Sequence, residues 1–104
     1  MTERDIQDQI LKWCQRGNVH LARTGNDRGR SKSLPEGWPD ITGWMTVDGV
    51  AVFVFIEVKK PGKKPTPAQQ SYLEKLAAAG GIAGIAYSLE DAIRILKPGK
   101  RGRG

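Results

Sequence analysis

Apolar residues recur along this chain in two rhythms, and the switches between them divide it into elements. Near the start, Ile6, Ile10, Trp13 and Cys14 share one face at helical spacing. Thr2 ahead of them is a good N-cap, so a helix is expected over residues 2–16, ended by Gly17-Asn18. Val19 and Leu21 then alternate with other positions and predict a first strand over 19–23. Residues 24–37 are polar, with repeated Gly, Arg and Ser, and predict a mobile loop. Two further strands are expected over 38–45 and 51–59, joined around Asp48-Gly49, a pair suited to a tight hairpin turn. The second is the most apolar segment of the chain. Its unbroken run from Ala51 to Ile56 reads as a central strand covered on both faces.

Pro61 to Pro65 cannot continue a sheet. Thr66-Pro67 opens a helix over 66–79, with Tyr72, Leu73, Leu76 and Ala77 as its apolar stripe and Gly80-Gly81 as its stop. Residues 82–87 form another apolar strand, and Ser88 starts a last helix carrying Leu89, Ala92, Ile93 and Leu96. The order is α-β-β-β-α-β-α. Strand 51–59, helix 66–79 and strand 82–87 make a βαβ unit, whose strands run parallel with a right-handed crossover. The earlier strands extend it into a mixed sheet flanked by helices, an α/β fold. A single domain is expected over 1–97, followed by a Gly-rich basic tail, 98–104, expected to be disordered.

Composition narrows the class. Charged residues are 27% and hydrophobic ones 38% of the 104 residues, the balance of a globular chain. No apolar run approaches the ~20 residues that cross a bilayer, and the charged start lacks the apolar region of a signal peptide. Cys14 stands alone, so no internal disulfide is expected, which fits a reducing compartment and a cytoplasmic location. The net charge of +6 is clustered. Arg23, Arg28, Arg30 and Lys32 lie in or beside the loop, Lys59, Lys60, Lys63 and Lys64 follow the central strand, and Lys97, Lys100, Arg101 and Arg103 form the tail. Those groups hold 12 of the 17 basic residues, a pattern that predicts a polyanion partner, nucleic acid before others. Solubility alone is the bland alternative.

The candidate chemistry sits where the apolar strand ends. Glu57 and Lys59, two residues apart, project from the same face. Burying either charge alone is costly. Pro39-Asp40 brings a second carboxylate to the neighbouring strand. Phosphodiester hydrolysis needs phosphate charge neutralised and water made nucleophilic, and a bound metal supplies both. Mg²⁺ prefers hard oxygens, keeps several waters and takes one or two carboxylates. Asp40 and Glu57 converging from antiparallel strands fit that demand, with the Val58 carbonyl as a further ligand and Lys59 reaching the water or the phosphate.

Each part also has a plainer explanation. Glu57 and Lys59 suit a solvated strand end, and Pro-Asp opens ordinary turns. Gln69 lies on the inward stripe of its helix, where a polar side chain is unexpected, yet it is also the N3 residue of a capping box with Thr66. Glu3, a candidate additional carboxylate, complements the dipole of the first helix in any case. Cys14 and His20 give no zinc spacing. Neither GxGxxG nor GxxxxGK[ST] is present, so no nucleotide cofactor is expected. Trp13 is assigned to the core, and Trp38, held extended before Pro39, to a partly exposed place near the site.

Three blocks carry a family resemblance: Gly37-Trp38-Pro39-Asp40-Ile41, then Phe55-Ile56-Glu57-Val58-Lys59, then Thr66-Pro67-Ala68-Gln69. In order and spacing they resemble the VRR-NUC domain, the virus-type replication-repair nuclease branch of the PD-(D/E)xK superfamily, over about residues 3–96. The resemblance implies a restriction-endonuclease-like α-β-β-β-α-β core, Mg²⁺ or Mn²⁺ dependence and structure-directed DNA cleavage. It implies that Asp40 and Glu57 hold metal, that Lys59 is catalytic, that Gln69 orients water or a ligand, and that Glu3 is an outer acid. Minimal stand-alone members, often encoded by phages, are similar to Holliday-junction resolvases and act as homodimers. The expectation is therefore a metal-dependent endonuclease for branched DNA, gripping phosphates through Arg23, Arg28, Arg30, Lys32, Lys60, Lys63 and Lys64. It would work in the cytoplasm of a bacterium or a phage-infected cell. The alternatives are a flap, nick or general duplex nuclease, or a non-catalytic basic DNA-binding module of the same fold.

Overall fold

In the computed structural model, which describes residues 1–15, 17–25 and 33–97, every expected element forms. Helix α1 is Glu3–Trp13. The Thr2 hydroxyl accepts from the Asp5 N–H at 3.0 Å while the Asp5 carboxylate accepts from the Thr2 N–H at 2.9 Å, a closed capping box. The helix stops at Trp13, earlier than expected. Cys14 is its C-cap, and the Gln15 N–H turns back to the Lys12 carbonyl at 3.3 Å, tightening the last turn.

Strands β1 (Val19–Arg23), β2 (Ile41–Val47), β3 (Val50–Val58) and β4 (Ile82–Ala86) form one sheet in the order β1-β2-β3-β4. The first three pair antiparallel; β3 and β4 run parallel across helix α2 (Pro67–Ala78), which completes the expected βαβ unit. Asp48 and Gly49 turn the β2–β3 hairpin at φ of 52° and 80°, the left-handed pair that such a two-residue turn requires. Strand β2 begins at Ile41 rather than at residue 38, since Pro39 has no N–H to offer a ladder. Strand β3 ends at Val58, so Lys59 stands just past it, with its N–H still donating to the Ala86 carbonyl at 3.0 Å.

The two sheet faces are covered unequally. Ile41, Met45, Val54, Ile56 and Val58 face α1 and α3 (Leu89–Ile95) and build the main core with Ile6, Ile10 and Leu96. Cys14 joins that core, where burial pushes its thiol up to about 11, as befits a small buried hydrophobe. On the other face α2 packs over β3 and β4 through buried Leu73. Trp38 meets Phe55 and Tyr72 edge-on there, at centroid distances of 4.9 and 5.5 Å. Ala77, expected in the stripe, is exposed.

The expectation that β3 is covered on both faces fails in its first half. Val50 is 61% and Phe53 67% exposed, because α2 reaches only the later part of the strand. An unbroken apolar run signals burial without saying along how much of its length. No helix among the described residues is long and apolar enough to cross a membrane.

Candidate metal centre

The β2–β3 register sets the centre. Ile41 pairs with Ile56, which places Asp40 opposite Glu57, one position past the last paired residues. Three contacts hold Asp40 where β2 has not yet begun. Its Oδ2 accepts from the Val58 N–H at 3.0 Å, and its carbonyl accepts from the Thr24 N–H at 2.8 Å. The Thr24 hydroxyl donates to the preceding carbonyl, that of Pro39, at 2.5 Å. Gly37, at φ 91°, lets this segment lie against α2; a Cβ there would stand 2.6 Å from the Ala68 carbonyl carbon.

Glu57 is only 2% exposed, and its two oxygens are in different states. Oε2 accepts from Gln69 Nε2 at 3.0 Å and lies 3.8 Å from the Lys59 ammonium. Oε1 is buried without a hydrogen-bond partner, alone in this among the described residues. Burial and then the adjacent Asp40 carboxylate push the Glu57 acid up to about 8, outweighing Lys59, which pulls it down. Two carboxyl groups are thus pressed together at neutral pH around an unsatisfied oxygen. Such a pair is stabilised by a shared proton or by a cation.

Gln69 explains its own place on the inward stripe. Its Oε1 accepts from the Thr66 N–H at 2.8 Å, closing the α2 capping box, while its Nε2 reaches Glu57. Capping and site contact are simultaneous, made by opposite ends of one amide. Glu3 comes to the edge of the centre from α1, where its Oε2 accepts from the Lys60 N–H at 3.2 Å. Among the described residues no group of three His, Cys, Asp or Glu side chains gathers as a metal cluster.

Of the basic residues expected on DNA, Lys60, Lys63 and Lys64 lie exposed on the turn after β3. Arg23 donates instead to Gln7 Oε1 at 2.8 Å and pairs with Asp8, tying β1 to α1. Arg28, Arg30, Lys32 and the 98–104 tail lie outside the described residues.

Comparison with known proteins gives the family and the fold. The model of the VRR-NUC domain matches residues 2–90. The chain belongs to the VRR-NUC family. A solved VRR-NUC domain protein shares the fold at a TM-score of 0.69 and 23% identity, over 93% of this chain and 86% of the other. No curated protein matches the chain. VRR-NUC is a nuclease family, so this is a nuclease-type domain with DNA as the implied substrate.

Sequence reasoning missed Thr24 and Gly37. Thr24 falls at the first loop position after β1, where its hydroxyl looks like ordinary loop polarity. Gly37 looks like a turn glycine, and its approach to Ala68 requires the third dimension.

Proposed function

We propose that this domain is a divalent-metal-dependent endonuclease hydrolysing DNA phosphodiesters, with Asp40 and Glu57 as the ligands of Mg²⁺ or Mn²⁺. The supporting observation is Glu57 Oε1: a buried carboxylate oxygen without a donor, beside a second carboxylate. An orphaned buried acceptor costs about 1–3 kcal/mol and more when charged, and a hard cation offsets that cost. The oxygen donor set is the one Mg²⁺ prefers. When bound, the ion would neutralise phosphate charge and make a coordinated water more nucleophilic.

The chain's own groups do the rest. Gln69 and Lys59 engage Glu57 Oε2 and so leave Oε1 as the ligand oxygen. The Val58 N–H fixes one oxygen of Asp40, and the Val58 carbonyl is a candidate additional ligand. Glu3, whose Oε2 accepts from the Lys60 N–H, would serve as an outer acid at the edge of the centre. The Lys59 Nζ lies 3.8 Å from Glu57 Oε2, a position suited to orienting the attacking water or the phosphate. Lys60, Lys63 and Lys64, with Arg28, Arg30 and Lys32, would grip phosphates with salt-sensitive affinity and little sequence preference.

The finer reading is a Holliday-junction resolvase acting as a homodimer, two sites cutting opposing strands. Its support is the resemblance together with the clustering of basic residues along the sequence. Cleavage with Mg²⁺ of four-way junctions, flaps, nicked and linear duplexes, wild type beside Lys59→Ala, tests both levels. Wild type is expected to cut junctions first, and Lys59→Ala to bind DNA without cutting. Preference for flaps or duplex would refute the junction reading alone. No cutting of any substrate with Mg²⁺ or Mn²⁺ would leave a binding module.

A further inference from the structure

Register carries the centre one strand further than its two acids. Arg23 pairs with Ile41 and Ile41 with Ile56, so Thr24, Asp40 and Glu57 stand in a row across three chain segments, one step past the ladder. Thr24 holds its neighbour in that row twice. Its N–H donates to the Asp40 carbonyl at 2.8 Å, and its hydroxyl donates to the Pro39 carbonyl at 2.5 Å. Those two carbonyls belong to the peptide units on either side of the Asp40 Cα. Each unit is planar, so the freedom left at Asp40 is the pair of torsions between them. With both planes tied to one residue, the direction of the Asp40 Cα–Cβ bond is constrained from the backbone. The Val58 N–H then acts only on the carboxylate, at 3.0 Å from Oδ2.

The clamp is itself anchored. Arg23, the residue before it, donates from Nε to Gln7 Oε1 at 2.8 Å and pairs with Asp8. Contacts therefore run from α1 through the end of β1 to the backbone of Asp40. Pro39 is less than 2% exposed, so little water reaches it to replace the hydroxyl. A β-branched side chain suits the task, because threonine is stiff at χ1 and presents its hydroxyl in few directions.

We infer that Thr24 is a positioning residue of the metal centre, aiming the Asp40 carboxylate at the cation shared with Glu57. The inference rests on the metal reading above and deepens it by assigning a residue outside the ligand set. Mg²⁺ tolerates little misplacement, since it demands near-ideal octahedral geometry at roughly 2.0–2.1 Å. A carboxylate on a backbone free to turn would meet that demand only part of the time.

Calorimetry of Mn²⁺ binding to the full chain tests this, with Thr24→Val, Thr24→Ser and Asp40→Asn beside wild type. Circular dichroism establishes that each is folded at the assay temperature. Thr24→Val keeps the shape and the N–H bond but loses the donor to Pro39. Its Mn²⁺ affinity is expected to fall about tenfold, within the range typical of groups that orient a metal ligand. Thr24→Ser keeps the donor and loses only the stiffening methyl, so its affinity is expected within about threefold of wild type. Should the Val variant fail to fold, Thr24→Ala leaves room for water at the Pro39 carbonyl, and a loss of the same size is expected. A merely structural threonine would lower metal-free stability and leave the affinity of the folded chain unmoved. Wild-type affinity in the folded Val or Ala variant would therefore overturn the inference, as would equal losses in Val and Ser. If Asp40→Asn loses binding while Thr24→Val does not, the inference fails alone. If wild type binds no Mn²⁺, or Asp40→Asn binds as tightly as wild type, the metal reading falls and takes the inference with it.

Discussion

Replacing Glu57 by Gln removes one titration and keeps the shape, so it isolates the consequence of pressing two carboxyl groups together. The free acid ionises near 4.5 and the folded one near 8. Between those values the folded chain retains a proton that the unfolded chain has released, so metal-free stability falls as pH rises. Each pH unit in that window lowers it by ~1.36 kcal/mol. The loss reaches about 3 kcal/mol by pH 7 and tends toward about 5 kcal/mol above pH 8. Glu57→Gln does not titrate. Its stability relative to wild type is therefore expected to climb through this range, starting near parity at about pH 5. Urea unfolding in the presence of a chelator, at matched m-values, reads the difference directly. A difference that stays flat from about pH 5 to pH 9, or that turns in favour of wild type, would refute the reading of Glu57 as a carboxyl held neutral beside Asp40.

Gly37→Ala is expected to cost about 1–3 kcal/mol, since it combines a left-handed φ with a 2.6 Å approach to the Ala68 carbonyl carbon; denaturation within ~0.5 kcal/mol of wild type would contradict this. Gln69→Leu is expected to cost about 1 kcal/mol by opening the α2 cap and to weaken Mg²⁺ binding by freeing Glu57 Oε2, and calorimetry showing unaltered affinity would remove Gln69 from the site. Truncation after Leu96 is expected to weaken DNA binding and flatten its dependence on salt; an unaltered slope would show that the tail makes no phosphate contacts.

The chain's sequence was enough for element order, hairpin turn, βαβ unit and the α2 capping box, because each can be read from local patterns. The pairing of Asp40 with Glu57 was also legible. A two-residue turn at Asp48-Gly49 leaves a single antiparallel register, and counting back along it sets one acid opposite the other. Coverage was not legible. Ala51 to Ile56 is uniformly apolar, and only the position of α2 decides that Phe55 is shielded while Phe53 is not. Gln69 exposed a different limit, for sequence offered cap and site as alternatives, whereas an amide with two ends serves both. Thr24 was hidden because its partners, the carbonyls of Pro39 and Asp40, lie 15 or more residues along the chain.

The sharpest measurement is calorimetry of Mn²⁺ binding near pH 7 in two buffers of different ionisation enthalpy, which counts protons released as the ion enters. With the Glu57 acid near 8, wild type is expected to take up the cation and release close to one proton. Glu57→Gln should bind weakly and release none. Tight binding with no proton released, or undiminished affinity in Glu57→Gln or Asp40→Asn, would contradict a cation shared by these two carboxylates.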